Sequence, residues 1–110
     1  MNKGIKTILY PAKDMSQAKT MFKKLLGVEP YADSPYYIGF KVGDQDIGVV
    51  PNNPEAGVAA FFHVDDIKSN LQTLLDNGAE IVQDIKDVGH GRLVASVKDT
   101  NLNIIGLIQN

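Results

Sequence analysis

The stretch IKTILYPAKDMSQAKTMFKKLLG, residues 5–27, predicts a short strand followed directly by a helix. The strand is rich in β-branched and aromatic residues and stops at Pro11. Asp14 can cap the helix, with Gln17 at the capping-box position and Gly27 as the terminator. Apolar residues recur at helical spacing, at Ala18, Met21, Phe22, Leu25 and Leu26. A helix with one apolar side needs a flat apolar surface to pack on, which further strands must supply.

The residues that follow this helix predict those strands. Residues 28–35 contain two prolines and indicate a loop or an irregular edge strand. Residues 36–42 and 46–50 predict two strands on either side of Gly43-Asp44, a hairpin turn signal. The Pro- and Asn-rich residues 52–57 then have the composition of a linker. The first half of the chain thus has the order strand, helix, three strands.

The second half repeats this order, which predicts an internal duplication. Asp65 and Asp66 are the predicted caps of its helix, and Asn77-Gly78 ends it. Aligning Asp14 with Asp66 places Thr7 on Ala59 and Leu9 on Phe61. The predicted strands of this half cover residues 58–64, 79–85, 92–98 and 102–108. We expect one domain over residues 1–110, built of module 1 (1–51), a linker (52–57) and module 2 (58–110).

Composition limits the possible functions. The 110 residues are 44% hydrophobic and 22% charged, which is typical of one globular domain. Cysteine is absent, so disulfides, cysteine nucleophiles and cysteine-based metal sites are excluded. Eleven basic and thirteen acidic residues give a net charge of -2, which argues against nucleic-acid partners. No apolar stretch has the length of a membrane span or a signal sequence, so we expect no membrane partner and a cytoplasmic location.

Strand alternation assigns one face to the helices and leaves the other face unexpectedly apolar. The predicted helix-packed residues are Ile8, Ile38, Phe40, Val42, Ile47, Val49, Val58, Ala60, Phe62, Val64, Leu93, Ala95 and Val97. The opposite face carries Leu9, Tyr37, Val50, Phe61, Val94, Leu102, Ile104 and Ile108, with Thr7, Lys41, His63, Arg92 and Ser96 among them. Such a face indicates a ligand pocket, a dimer interface or a plain sandwich core, and the sequence leaves these alternatives open.

Four motifs resemble the vicinal oxygen chelate superfamily of glyoxalases, bleomycin-resistance proteins and extradiol dioxygenases. They are Leu9-Tyr10-Pro11-Ala12-Lys13-Asp14, Leu25-Leu26-Gly27, Val64-Asp65-Asp66-Ile67 and the closing segment from Lys98 to Leu107. The resemblance implies an α+β fold with two tandem βαβββ modules. These modules would form a half-open curved sheet around a cavity, with the helices outside. It also implies that the protein forms a homodimer.

The resemblance extends poorly to the metal site. Enzymes of that family hold a divalent metal with His, Gln or Glu side chains from the first and last strand of each module. The corresponding positions here fall on Thr7, Gly48, Ala59 and Gly106, which offer no octahedral ligand set. We therefore predict no metal and no cofactor, and metal-dependent glyoxalase or dioxygenase activity is disfavoured.

What remains resembles the metal-free, bleomycin-resistance-like members, which sequester a drug or an aromatic metabolite in an apolar groove. The two glycines would leave a smooth floor, and Phe61 and Tyr37 offer flat rings for stacking. The predicted ligand-binding residues are Thr7, Leu9, Tyr37, Gly48, Val50, Ala59, Phe61, His63, Arg92, Val94, Ile104 and Gly106.

Two other functions stay open. One is a metal-independent lyase or isomerase acting on a carbonyl or carboxylate substrate, with His63 or Arg92 as catalytic candidates. Each of these residues has a plain alternative, a solvated strand end for His63 and a surface ion pair for Arg92. The other function is a dimerisation module with a vestigial pocket. Tyr31 and Tyr36 have weaker claims, as parts of a loop that folds over the cavity as a lid.

Overall fold

A computed structural model of the chain describes residues 2–110, which form two α-helices, eight strands and one short 3-10 helix. The first half contains β1 (Asn2–Ala12), α1 (Met15–Leu26), β2 (Ala32–Ser34), β3 (Tyr37–Val42), β4 (Gln45–Pro51) and the 3-10 helix (Pro54–Ala56). The second half contains β5 (Ala59–Val64), α2 (Ile67–Asp76), β6 (Glu80–Asp87), β7 (Leu93–Lys98) and β8 (Ile104–Gln109). Strand, helix and three strands therefore occur twice, and the predicted α+β class is confirmed.

The chain divides into two compact units. The N-terminal unit is Lys6–Val58, and its strands follow the order β2-β3-β4-β1, with β1 and β4 parallel. The C-terminal unit is Ala59–Asn110 together with residues 2–5, and its later strands follow the order β5-β8-β7-β6. In this unit β5 and β8 are parallel, and the remaining neighbours are antiparallel. Each unit thus pairs its first strand with its last.

Both helices begin at the aspartates that the sequence indicates. The Asp14 carboxylate accepts a hydrogen bond from the Gln17 backbone N–H at 2.9 Å, and Gly27 ends α1 with a φ of 70°. Asp66 caps α2 in the same way. Asp65 is not a cap, which corrects one expectation. Its carboxylate forms an ion pair with Lys3 at 3.0 Å instead.

Each unit has its own apolar core between its helix and one face of its strands. In the N-terminal unit the buried core residues are Ala18, Phe22, Ile38, Phe40 and Val49. In the C-terminal unit they are Val64, Ile67, Leu71, Ala95, Val97 and Leu107. The predicted helix-packed face is confirmed at Ile38, Phe40, Val49, Val64, Ala95 and Val97. Burial of apolar area stabilises each unit by about 25 cal/mol per Å² removed from water.

Three residues that alternation assigned to the apolar faces of strands are exposed instead. Val58 precedes β5 and is 49% exposed, and Val42 is also exposed at the end of β3. Leu102 is 74% exposed with a φ of 68°, because it lies in a turn before β8. The Asp99 carboxylate holds this turn by accepting from two backbone N–H groups, those of Asn101 and Asn103. The last strand therefore begins two residues later than predicted.

No helix within residues 2–110 has both the length and the apolar character needed to cross a membrane.

Candidate functional site

In the N-terminal unit, three side chains lie against two glycines on the face turned away from α1. Gly39 and Gly48 are paired across β3 and β4, and Gly48 is also paired with Leu9 of β1. A Cβ atom on Gly39 would come within 2.5 Å of the Tyr31 ring and 2.7 Å of the Tyr37 ring. One on Gly48 would come within 2.5 Å of Leu9 and 2.8 Å of Tyr37. We call this pair the glycine seat, because a larger residue at either position would displace the side chains above it.

The two tyrosines that lie on the glycine seat join a carboxylate at its end. The Tyr31 hydroxyl donates to Asp46 Oδ1 at 2.7 Å, and the Tyr31 and Tyr37 oxygens are 3.0 Å apart. Asp46 is only 7% exposed, and Thr7, its neighbour across β1 and β4, is 5% exposed. We call Tyr31, Tyr37 and Asp46 the Tyr-Asp cluster. It places a buried anion, two phenols and an apolar surface within one small area.

The protonation of this cluster follows from its environment. Burial raises the pKa of Tyr31 far above its ordinary value, and the hydrogen bonds with Tyr37 and Asp46 raise it further. Tyr31 therefore keeps its proton at neutral pH and acts as a hydrogen-bond donor. An ionised carboxylate can only accept, so the Tyr31 proton points to Asp46. Tyr31 then has its oxygen left as the acceptor for the Tyr37 hydroxyl.

The C-terminal unit contains a matching seat. Gly106 of β8 is paired with Phe61 of β5 and with Ser96 of β7. A Cβ atom on Gly106 would come within 2.3 Å of the Phe61 ring, with two more ring atoms at 2.5 Å. Phe61 thus lies over a glycine as Leu9 does in the other unit.

The other predicted binding residues also lie on the faces turned away from the helices, each within its own unit. Thr7 and Val50 share the face of Leu9, Tyr37 and Gly48 in the N-terminal unit, as the register of β1 with β4 shows. Strand alternation puts Ala59, His63, Val94 and Ile104 on the face of Phe61 and Gly106 in the C-terminal unit. The expected smooth floor at Gly48 and Gly106 is wrong, since side chains of the chain itself cover both glycines.

Arg92 lies at the end of the C-terminal unit, just before β7. Its Nε donates to the Asn110 Oδ1 at 2.9 Å. It lines an open cavity of about 350 Å³ with Val88, Gly89, His90 and Asn110. His90 is exposed in this turn and has a φ of 56°. No ion pair between Arg92 and an acidic residue occurs among residues 2–110, so its expected surface partner is replaced by an amide.

The residues at the family's metal positions do not fit a divalent metal. Gly48 and Gly106 have no side chain, and Ala59 has only a methyl group. Thr7 is in register with Asp46, whose Oδ1 already accepts from Tyr31. Within residues 2–110 no group of three His, Asp or Glu side chains lies close enough together to hold a metal ion. Divalent ions in proteins require several such oxygen or nitrogen ligands.

Sequence reasoning missed the central polar residue of the site. The sequence predicts a strand at Asp46 without a functional role, and it gives Tyr31 only a weak role in a loop. One signal was present, because a glycine within a predicted strand, as at Gly39 and Gly48, often marks a close approach by another group. Alternation also puts Asp46 on the face of Gly48. Tyr31 lies outside the strands, and no sequence pattern predicts that its hydroxyl bonds to Asp46.

Comparison with known proteins gives a family for residues 4–106. The model of the Glyoxalase/Bleomycin resistance protein/Dioxygenase superfamily matches residues 4–106. No curated protein sequence matches the chain.

Several solved structures have a similar fold at low sequence identity. A superfamily member from Vibrio splendidus 12B01 is 13% identical with a TM-score of 0.73, over 99% of this chain and 98% of that one. A methylmalonyl-CoA epimerase from Streptomyces coelicolor is 14% identical with a TM-score of 0.74, over 100% and 99%. The Mycobacterium tuberculosis methylmalonyl-CoA epimerase is 14% identical with a TM-score of 0.72, over 98% and 88%. At these identities the likeness shows the fold alone.

Proposed function

Because this chain belongs to the Glyoxalase/Bleomycin resistance protein/Dioxygenase superfamily, we propose that it is a metal-independent binding protein for a small, planar, largely apolar molecule. The observation that carries the proposal is the placement of apolar and aromatic side chains on glycines in both units. Tyr37 lies against Gly48, and Phe61 lies against Gly106. Both rings are half-buried, so part of each remains accessible.

Such rings favour binding for a physical reason. A ring pressed against a strand has few other positions, so little conformational freedom is lost when a ligand stacks on it. Aromatic stacking contributes about 0.5–1.5 kcal/mol beyond the area that it buries. Leu9 and Val50 add apolar surface beside Tyr37. These features support a planar ligand, and the unsuitable residues at the metal positions support recognition without a metal.

The first experiment is a thermal-shift screen of planar heteroaromatic compounds, with Mn²⁺, Ni²⁺ and Zn²⁺ in parallel. A ligand at about one hundred times its Kd adds about 2.7 kcal/mol. For a domain of this size, that stabilisation raises the Tm by roughly 10 °C. We expect planar compounds to raise the Tm and the metal ions to leave it unchanged. No shift with any planar compound, or a shift with a metal ion alone, would reject the proposal.

Two neighbouring tyrosines provide a matched pair of variants. Tyr37 lies against the glycine seat at the start of β3, whereas Tyr36 is 79% exposed in the turn just before that strand. Tyr37→Ala should weaken binding of a planar hit about tenfold through the loss of stacking, and Tyr36→Ala should leave its Kd unchanged. Equal effects of the two substitutions would place the binding surface elsewhere.

A second function has one specific observation in its favour. Asp46 and Tyr31 place a carboxylate and a phenol 2.7 Å apart, which suits proton transfer at a carbon next to a carbonyl. Methylmalonyl-CoA epimerases are among the proteins with a similar fold. A metal-independent isomerase would exchange such a proton with D₂O, and NMR measures this exchange directly. Exchange that is catalysed by the native chain and lost in Asp46→Asn would favour the enzyme over the binding protein.

A further inference from the structure

Asp46 is a buried carboxylate that forms no ion pair with any of residues 2–110. The ion pairs among residues 2–110 join Lys3 to Asp65, Lys6 to Asp44, Lys19 to Asp33 and Lys23 to Glu29. The acids in these four pairs are all exposed, whereas Asp46 is 7% exposed. Its charge is stabilised by a hydrogen bond from the Tyr31 hydroxyl. A buried charge without a counter-charge is costly, so this site attracts a cation.

The hydrogen-bond directions strengthen this preference. Tyr31 donates its only proton to Asp46, and the Tyr31 oxygen accepts from Tyr37. The Tyr37 proton therefore points to the Tyr31 oxygen, and the Tyr31 proton points to the Asp46 carboxylate. The faces of both rings carry the negative part of the aromatic quadrupole, which attracts cations. Tyr31 is 54% exposed, so a ligand can reach its ring.

We infer that the Tyr-Asp cluster selects planar organic cations, such as quaternary nitrogen heteroaromatics, over neutral or anionic rings of the same shape. The inference rests on the proposed binding function and adds the charge of the ligand to it. The seat and the rings supply stacking for any planar molecule. The uncompensated charge of Asp46 then distinguishes among planar molecules by charge. The net charge of -2 for the whole chain acts in the same direction but is too small to decide it.

One cationic side chain opposes this preference. Lys41 lies directly opposite Asp46 across β3 and β4 and is exposed. On the other side, Asp46 is in register with Thr7, which is uncharged. Lys41 thus competes with a cationic ligand for the negative charge of Asp46. Removing the Lys41 charge should strengthen cation binding, whereas removing the Asp46 charge should weaken it.

The test compares three probes of similar shape by titration calorimetry at about pH 8, where free carboxylates are ionised. They are N-methylquinolinium, quinoline and quinoline-2-carboxylate, which are cationic, neutral and anionic. We expect N-methylquinolinium to bind about tenfold more tightly than quinoline, and the carboxylate to bind most weakly. The preference should shrink when the ionic strength rises, which a purely steric effect would not do.

Three substitutions complete the design. Asp46→Asn keeps the shape and the acceptor for Tyr31 but removes the charge, so N-methylquinolinium and quinoline should bind alike. Lys41→Gln should widen the preference by a few-fold. Asp76→Asn, on an exposed acid at the end of α2, is the control for net charge and should change nothing. Circular dichroism establishes that each variant is folded.

The outcomes separate the two proposals. Equal binding of all three probes would overturn the inference on charge and leave the planar-ligand function standing. A preference that survives in Asp46→Asn would also overturn it, because the charge would then come from another group. Binding of none of the probes would reject both proposals for this class of ligand.

Discussion

The placement of Phe61 on Gly106 gives a sharp prediction for Gly106→Ala. The new Cβ would lie 2.3 Å from Phe61 Cδ1 and 2.5 Å from both Cε1 and Cγ. Real Cβ atoms do not approach ring carbons this closely, so the ring has to move. Gly106 is not among the glycines with positive φ, so its backbone accepts alanine without strain. The clash with Phe61 is therefore the main cost of the substitution.

The size of the effect follows from two opposing contributions. Forcing an extra methyl group into a packed site costs about 1–3 kcal/mol. Replacing glycine by alanine within a strand returns about 0.5–1 kcal/mol through the entropy of the unfolded chain. The net loss should be about 1–2 kcal/mol. For a domain of this size, that loss lowers the Tm by roughly 6 °C.

A double-mutant cycle with Phe61→Ala isolates the contact. Urea unfolding followed by circular dichroism gives the free energy of unfolding for the native chain, both single variants and the double variant. Without the ring, Gly106→Ala should cost nothing or stabilise slightly. A loss of the same size in both backgrounds would refute the reasoning, because the cost would then come from something other than the ring.

Three further predictions concern the caps, the Tyr-Asp cluster and the last turn. Asp14→Ala should lower the free energy of unfolding by about 1 kcal/mol in urea, since the Gln17 N–H loses its acceptor. The raised pKa of Tyr31 means that stability falls as the pH rises above about 10, where the unfolded chain loses this proton first. Melting curves of Tyr31→Phe should therefore show a weaker alkaline loss. Backbone N–H groups, first that of Asn103, lower the pKa of Asp99. Its contribution is present at neutral pH and lost as the pH falls through the lowered pKa, so Asp99→Ala should melt with less acid sensitivity.

The parts of the fold that depend on local sequence were predictable. Asp14 and Gly27 bound α1 as expected, because a capping aspartate and a left-handed glycine act on the backbone next to them. Period-two alternation likewise separated the buried residues Ile38, Phe40 and Val49 from the opposite face. Such patterns arise within a few residues and need no knowledge of the tertiary fold.

The missed features depend on contacts that are distant along the chain. Tyr31 reaches Asp46, fifteen positions away, across a glycine of the strand between them. Hydrophobic patterning ranks an exposed loop tyrosine and a strand aspartate as ordinary surface residues. The prediction that Leu102 lies in the last strand was wrong for a local reason. The turn held by Asp99 includes Leu102, although alternation assigned this apolar residue to β8. The candidate site was thus predictable as a face, whereas its polar chemistry was not.

The two units share an apolar side chain packed on a glycine, but they differ in the polar residues beside it. Leu9 over Gly48 and Phe61 over Gly106 occupy equivalent places, each joining the first strand of its unit to the last. Two residues earlier on each last strand the likeness ends, since Asp46 stands in one unit and Ile104 in the other.

A duplicated pair of identical sites would bind two copies of one ligand. Among residues 2–110, however, the buried charged side chain is Asp46, in the N-terminal unit. If the inference on charge is correct, calorimetry should give one charge-selective site per chain. Substituting residues of the C-terminal seat, as in Phe61→Ala, should weaken stacking without changing the preference for N-methylquinolinium over quinoline.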